Sequence, residues 1–386
     1  MRETILKPLL LPGLCILVLA GCLDDDEGNG NNAQTGTLTS VGVANLNYET
    51  RSRSGTTDDE GRFEYLPGET ISFSVGNLQI ASDVPVAPFL TSMDFTEEQR
   101  EKLRKGGTNE EGLQTHRVVE EDLARNNRIA INTMRLLMVL GQDFEQSPDD
   151  TIRITDRTIE QLNSYLAEND IEIDFSQPTN QFASPSIPSY DDAGNLEGGS
   201  VVNQMLDSIC FEPEGDELCE APPTETEINN TTDPEEKSDL QRERQEITDS
   251  RRLLSEISVN EVSDFLLSET RDFRLDLESA YFLEPDAITL EPSETGIQEI
   301  QIKRVGSKGV NLQGNGLDAR AEGSALQVSS VDWQDAVVEY FHDGSEGEQG
   351  TVLINFKIET PDFDNYRWFR KTLRVCINAD DQPCST

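Results

Sequence analysis

Two stretches of alternating apolar and polar residues flank a middle that repeats every three or four residues, and this arrangement restricts the chain to a mixed architecture. From Leu38 to about Ile80 the apolar positions step by two. Val41 and Val43 come first, then Phe63 and Tyr65 between Arg62 and Glu64, then Ile71, Phe73 and Val75 around Ser72 and Ser74. Successive side chains of a strand point to opposite faces, so this is the pattern of half-buried strands. Asp58-Asp59-Glu60-Gly61 and Leu66-Pro67-Gly68-Glu69 interrupt it with turn chemistry: aspartates cap backbone amides and glycine takes a positive φ. A small antiparallel β unit is expected here. After Pro285 the two-residue period returns at Ile300 and Ile302, at Val352, Ile354, Phe356 and Ile358, and at Leu373, Val375 and Ile377.

The middle has helical spacing. The clearest helix is predicted over residues 118–140, with Leu123, Ala130, Ile131, Met134, Leu137 and Met138 on one stripe and Gly141 as terminator. Met134 and Met138 suit an adaptable groove, but on an apolar stripe they read as core filler. Further helices are expected over 156–166 and 201–210. Asp233-Pro234-Glu235-Glu236 has a capping aspartate, a proline where no donor is needed and acids at the positive end of the dipole. Leu240, Ile247 and Leu254 lie seven apart, too few heptads for a partner helix. Ser258-x-x-Glu261 matches a capping box. The fold class expected is a multidomain α+β protein. Several short strands over about a hundred residues, with Trp333 and Trp368 as core, predict a C-terminal Ig-like β-sandwich.

Charge limits the partners. The chain has 386 residues, with 31 Lys+Arg against 74 Asp+Glu and a formal net charge of −43. Phosphate backbones would be repelled, which argues against nucleic acid. Cations or divalent metal would be attracted, yet an acidic surface is also how proteins stay soluble in salty water, where counterions screen self-repulsion. Salt adaptation is the reading preferred here. Asp24, Asp25 and Asp26 read as a solvated acidic run, and Asp191-Asp192-Ala193-Gly194-Asn195 as a turn in preference to a metal clamp. The acidic loop after Gly141 lacks the alternating carboxylates and central glycine of a calcium loop.

Catalytic signatures are missing from the sequence. It has no Gly-rich phosphate loop, no HExxH pair and no G-x-S-x-G elbow. His116 and His342, the two histidines, read as surface residues in polar surroundings. Carboxylate pairs carry no signal among so many acids. No catalytic residue, metal ligand or cofactor is assigned, and the chain reads as non-enzymatic.

The N-terminus supplies an address. Arg2 and Lys7 precede an apolar run from Leu9 to Leu19, too short for a membrane span of ~20 residues. The run ends in Leu19-Ala20-Gly21-Cys22, which resembles the lipobox of bacterial lipoproteins. That resemblance implies a thioether-linked diacylglycerol on Cys22, cleavage before it and acylation of the new amine, so that the protein's membrane partner is held through lipid. Leu23, rather than an aspartate, follows Cys22, which by resemblance to the enteric sorting rule implies the outer membrane. Export places the remaining cysteines in an oxidising compartment. Of three possible connectivities, local pairing of Cys210 with Cys219 and of Cys376 with Cys384 is expected. Cys376 alternates against Leu373 and Val375, which places its bond on an outer face.

Two resemblances concern the first β unit. Thr57-Asp58-x-x-Gly61-x-Phe63-x-Tyr65 is similar to the hairpin of carboxypeptidase-regulatory-like and transthyretin-like β modules. The run Gly42 to Gly76 resembles the N-terminal module of a group of marine gammaproteobacterial lipoproteins and adhesin-like proteins, some named for solvent or lipid transport. Neither brings a catalytic residue. The resulting organisation is a signal peptide (1–21), an acidic tether (22–37), a small β module (38–95), a helical region (96–211), an acidic linker (212–232), helices (233–284) and the β-sandwich (285–386). The function expected is a non-catalytic binding or structural role in the envelope, with an envelope protein or an extracellular ligand as partner. Accessory work in envelope lipid or solvent transport and an enzyme of unrecognised type are the alternatives.

Overall fold

The structure, a computed structural model, describes residues 33–142, 151–306, 310, 312, 314–359 and 366–378. It is a mixed α/β protein with several sheets and, among the described residues, nine α-helices. No helix among them is long and apolar enough to cross a membrane.

The first strands are β1 (Gln34–Leu38), β2 (Val43–Ala44), β3 (Asn47–Thr50), β4 (Ser54–Thr56), β5 (Arg62–Tyr65), β6 (Thr70–Val75), β7 (Leu78–Pro85) and β8 (Phe89–Leu90). They form a β5-β1-β8 sheet and a β4-β3-β6-β7 sheet. The alternation works as expected. Phe63 from one sheet meets Phe73 from the other edge-on at 5.3 Å, and Tyr65, buried on the same face as Phe63, lies beside it at 5.8 Å. Three expectations need correction. Strands β4 and β5, on either side of Asp58–Gly61, belong to different sheets, so the turn is a corner between layers and not a hairpin. The unit is also not purely antiparallel, because β1 pairs parallel with β8 and β2 parallel with a later strand at Ile152. And β1 begins at Gln34, inside the stretch read as tether, because it pairs with β5 from Gln34 opposite Tyr65 onward, with Gly36 so close under Phe63 that a Cβ there would stand 2.6 Å from the ring.

Gly61 shows why the corner needs glycine. Its φ is +72°, and a Cβ would stand 2.3 Å from the Val43 nitrogen. Asp58 Oδ1 accepts the amides of Glu60 (3.0 Å) and Arg62 (2.9 Å), which closes the turn from inside.

The central elements are α1 (Glu97–Lys105), β9 (Gly107–Thr108), β10 (Gln114–Thr115), α2 (Arg117–Asn126), α3 (Arg128–Leu140), β11 (Ile152–Arg153), α4 (Asp156–Asn169), α5 (Thr179–Phe182) and α6 (Val201–Asp207). They continue with α7 (Glu225–Asn230), α8 (Pro234–Asp249) and α9 (Val259–Ser279). The single helix predicted over 118–140 is two helices. Asn127 ends α2 through its amide and caps α3 through its side chain, which accepts the Ala130 amide at 3.0 Å. Met134 and Met138 are buried in α3 as core. The seven-residue seam is cut because α8 stops at Asp249, before Leu254. Asp233 and the Ser258–Glu261 box cap α8 and α9 as their sequences predict.

One hydrophobic core runs from Leu38 through α2 and α3 to Leu266 on α9. The expected boundaries at residues 95 and 212–232 therefore do not divide the core. The acidic stretch is a surface excursion carrying α7, after which α9 returns to bury Val262 and Leu266 and to donate from Ser263 Oγ to the Ala124 carbonyl at 2.8 Å.

A second core starts at Tyr281. Strands β12 (Tyr281–Leu283), β14 (Gln298–Arg304), β17 (Val337–His342) and β16 (Leu326–Asp332) form one sheet in the order β12-β14-β17-β16. The other sheet, β13-β19-β18-β15, is built from β13 (Ala287–Leu290), β19 (Tyr366–Ile377), β18 (Gln349–Glu359) and β15 (Leu317–Glu322). β13 joins β19 in parallel and every other pairing here is antiparallel. Ile300, Ile302, Val338, Tyr340, Ile354, Phe356, Leu373 and Val375 fill the space between the sheets.

Candidate functional site

The polar residues of greatest structural consequence lie where α2 and α9 meet β19. Glu120 is 1% exposed and faces the same side of α2 as Leu123 and Ala124. Its Oε1 accepts from Arg367 Nη1 at 2.8 Å, and its Oε2 from Arg274 Nη1 at 3.1 Å. The Arg367 guanidinium also covers the Phe273 ring at 5.4 Å, and that ring stacks on Phe89 at 4.8 Å. One carboxylate thus joins a helix of the first core, the long helix between the cores and a strand of the second. A buried charge persists only when paired and hydrogen-bonded.

Beside it, His116 corrects the expectation of a surface histidine. It is 1% exposed, and its Nδ1 accepts the Trp368 amide at 2.9 Å. Burial pushes its pKa down to about 3, the nearby Arg367 charge adds to the drop, and the Leu103 carbonyl opposes it. His342 is buried too. Alternation along β17 turns Val338, Tyr340 and His342 into the second core, and His342 Nδ1 accepts the Gly344 amide at 3.1 Å. Both histidines therefore serve as acceptors for backbone amides.

The β9–β10 hairpin clamps the outer face of the β18–β19 pair. Asn355 Nδ2 donates to the Gln114 carbonyl (2.8 Å), Arg370 Nε donates to Asn355 Oδ1 (3.0 Å), and the Gln114 amide donates to Asp318 Oδ2 (3.1 Å). Above this contact opens a cleft of about 510 Å³, lined by Glu111, Arg117, Glu121, Arg274, Asn355 and Arg370. Its charges come as pairs: Arg117 with Glu121, and Arg370 with Glu111, whose carboxyl is held below the usual range chiefly by that guanidinium.

A second cleft of about 550 Å³ lies beside Cys210 and Cys219, which are joined with an S–S distance of 2.06 Å. Across it, Arg251 Nη1 donates to Asp207 Oδ1 and to the Gly194 carbonyl, both at 2.7 Å. Residues 191–195 are a turn: Asp191 Oδ1 accepts the Asn195 amide at 2.9 Å, and the carbonyls of the turn point at Arg244 and Arg251. Among the described residues no group of three or more His, Cys, Asp or Glu side chains could hold a metal ion. A third groove of about 410 Å³ follows the polar face of β3 and β6 past Asn47, Glu49, Ser72 and Ser74.

Of the residues singled out in the sequence, Cys22, Cys384 and the acidic run Asp24–Asp26 lie outside the described residues, as does the loop 143–150. Cys376 sits on the outer face of β19, as its parity predicts, but that face is covered there and the residue is buried. Of the other residues singled out, Cys210, Cys219 and Asn195 line the second cleft, Ser72, Phe73 and Ser74 line the third groove, and Trp368, expected in the sandwich core, lines the first cleft instead. Glu120, Arg274 and Arg367 were not visible beforehand. The one signal available was a glutamate on the apolar stripe of a helix.

No protein-family model, curated protein or solved structure matches this chain.

Proposed function

We propose that this is a lipid-anchored envelope protein whose folded part works by binding or as a structural element. The observation that carries the reading is the run Leu19-Ala20-Gly21-Cys22 after a basic and apolar leader, followed closely by a folded body that starts at Gln34. Lipid on Cys22 would hold that body near a membrane, firmly if two or more acyl chains are attached. Leu23 after Cys22 favours the outer membrane by analogy with enteric sorting.

A non-catalytic role draws support from the use made of the reactive groups. Both histidines accept backbone amides inside cores, and the charged side chains lining the clefts are largely tied to one another. The second core supports an Ig-like reading. In Ig nomenclature β12, β14, β17 and β16 stand in the order A-B-E-D, and β19, β18 and β15 in the order G-F-C. Such sandwiches serve many functions, so the layout supports a display role without choosing a ligand.

The test is Cys22→Ser. It is expected to move the protein from the membrane to the soluble fraction, and unchanged membrane association would refute the anchor. Protease shaving of intact cells, read on the region after Pro285, then decides whether the sandwich faces outward.

A further inference from the structure

Against the disulfide beside the second cleft lies a group that a purely stapling role leaves unexplained. Arg157, in the first turn of α4, places Nη2 3.2 Å from Cys219 Sγ, while its Nη1 is held by the Glu212 carbonyl. The guanidinium is thus fixed against one sulfur of the pair. Cys210 is held differently: its amide donates to Gln161 Oε1 at 2.7 Å. Both cysteines are half-buried and both line the open cleft, so the bond can be reached by a small reagent.

We propose that Cys210–Cys219 is a thiol–disulfide exchange site in which Cys210 is the sulfur attacked and Cys219 the sulfur that leaves. The co-reactant is a dithiol, supplied as a small molecule or on another protein. Its thiolate attacks Cys210 Sγ, a mixed disulfide forms as the Cys210–Cys219 bond breaks, and the electron pair departs on Cys219 as a thiolate. The second thiol of the reagent then attacks the reagent's own sulfur and releases Cys210. Two electrons and two protons pass to the protein, which becomes a dithiol, and the reagent becomes a disulfide.

The direction follows from electrostatics. A cation against a sulfur favours the thiolate, and exchange is faster when the departing thiol has the lower pKa. Arg157 supplies that cation to Cys219. Glu220 also lines the cleft and opposes an approaching anion, but it does so for attack on either sulfur. Release of Cys219 would free the loop 211–218 and the short turn Glu217–Cys219 that packs on α8, so the cleft floor would loosen with the bond.

The experiment uses the purified full chain. Brief exposure to reduced glutathione, an acid quench and peptide mapping by mass spectrometry locate the mixed disulfide. Glutathione on Cys210, with Cys219 open to alkylation, is expected. Glutathione on Cys219, equal partition, or no reaction of the folded protein would each overturn the assignment. Second, Arg157→Gln should slow reduction by dithiothreitol roughly three- to tenfold, the effect of one to two pH units in a leaving thiol's pKa at a Brønsted coefficient of about 0.5. Arg157→Lys should recover part of the rate. An unchanged rate in a variant with wild-type circular dichroism refutes the role of Arg157. The mapping of wild-type protein stands even if that variant fails to fold.

Discussion

Glu120 illustrates how much one residue can hold. Its two oxygens separate the guanidinium groups of Arg274 and Arg367 where the two cores meet. Glu120→Ala would leave two cations facing each other across a dry gap, and loss of one member of a buried ion cluster costs about 3–5 kcal/mol. Chemical denaturation should show a loss of that size, whereas Glu120→Gln, which keeps the shape and an acceptor, should lose less. A loss below about 1 kcal/mol in the alanine variant would mean that water replaces the carboxylate.

His116 makes a pH prediction with a definite sign. Its folded pKa is about 3, below the ordinary value near 6.5. Between those values the unfolded chain binds a proton that the folded chain does not. Its contribution is therefore intact above pH 6.5 and falls as pH drops toward 3, by up to about 1.4 kcal/mol per pH unit. His116→Gln should flatten the stability curve between pH 6.5 and 5, a window above the range where depressed carboxylates such as Glu111 and Asp191 titrate. Parallel curves for the two proteins would rule the effect out.

At the level of elements, the helices are bounded by side chains more than by their apolar stripes. Asn127 splits a continuous three- and four-residue period because its side chain satisfies an amide that helix continuation would have satisfied otherwise. Asn127→Ala should cost about 1 kcal/mol in stability, with helical circular dichroism nearly unchanged. The other end of α3 is closed from a distance. Arg252 donates to the carbonyls of Val139 (3.1 Å), Gly141 (2.6 Å) and Gln142 (3.0 Å), and Gly141 itself has an ordinary extended conformation. Gly141 marked the helix end correctly, but the group that satisfies the orphan carbonyls sits far along the chain.

For the whole molecule, charge is the dominant quantity. A formal −43 spread over one chain repels itself, and added salt screens that repulsion within a Debye length of ~10 Å at 0.1 M. The melting temperature should rise from dilute buffer to strong salt. No change, or a fall, would mean that local pairs such as Arg62 with Asp58 and Arg117 with Glu121 already balance the surface. The buried pairs around Glu120 should be less sensitive, because counterions do not reach them.

Alternation and helical period made the mixed architecture legible, and with it the inward rows on β5, β6, β14, β18 and β19, since side-chain direction in a strand or helix is a local property. Turn chemistry at Asp58–Gly61 and the caps at Asp233 and Ser258 were legible for the same reason: each donor and acceptor lies within four residues of its partner. The short spacing between them also paired Cys210 with Cys219. What the sequence could not reveal was which sheet each strand joins, that one core passes under the acidic stretch 212–232, or that His116, Glu120 and Arg367 come together. Those facts depend on contacts between residues far apart in the chain, up to 247 positions for Glu120 and 252 for His116. Local conformational preference does not encode them, and only the simultaneous burial of distant apolar faces selects which polar groups must find one another.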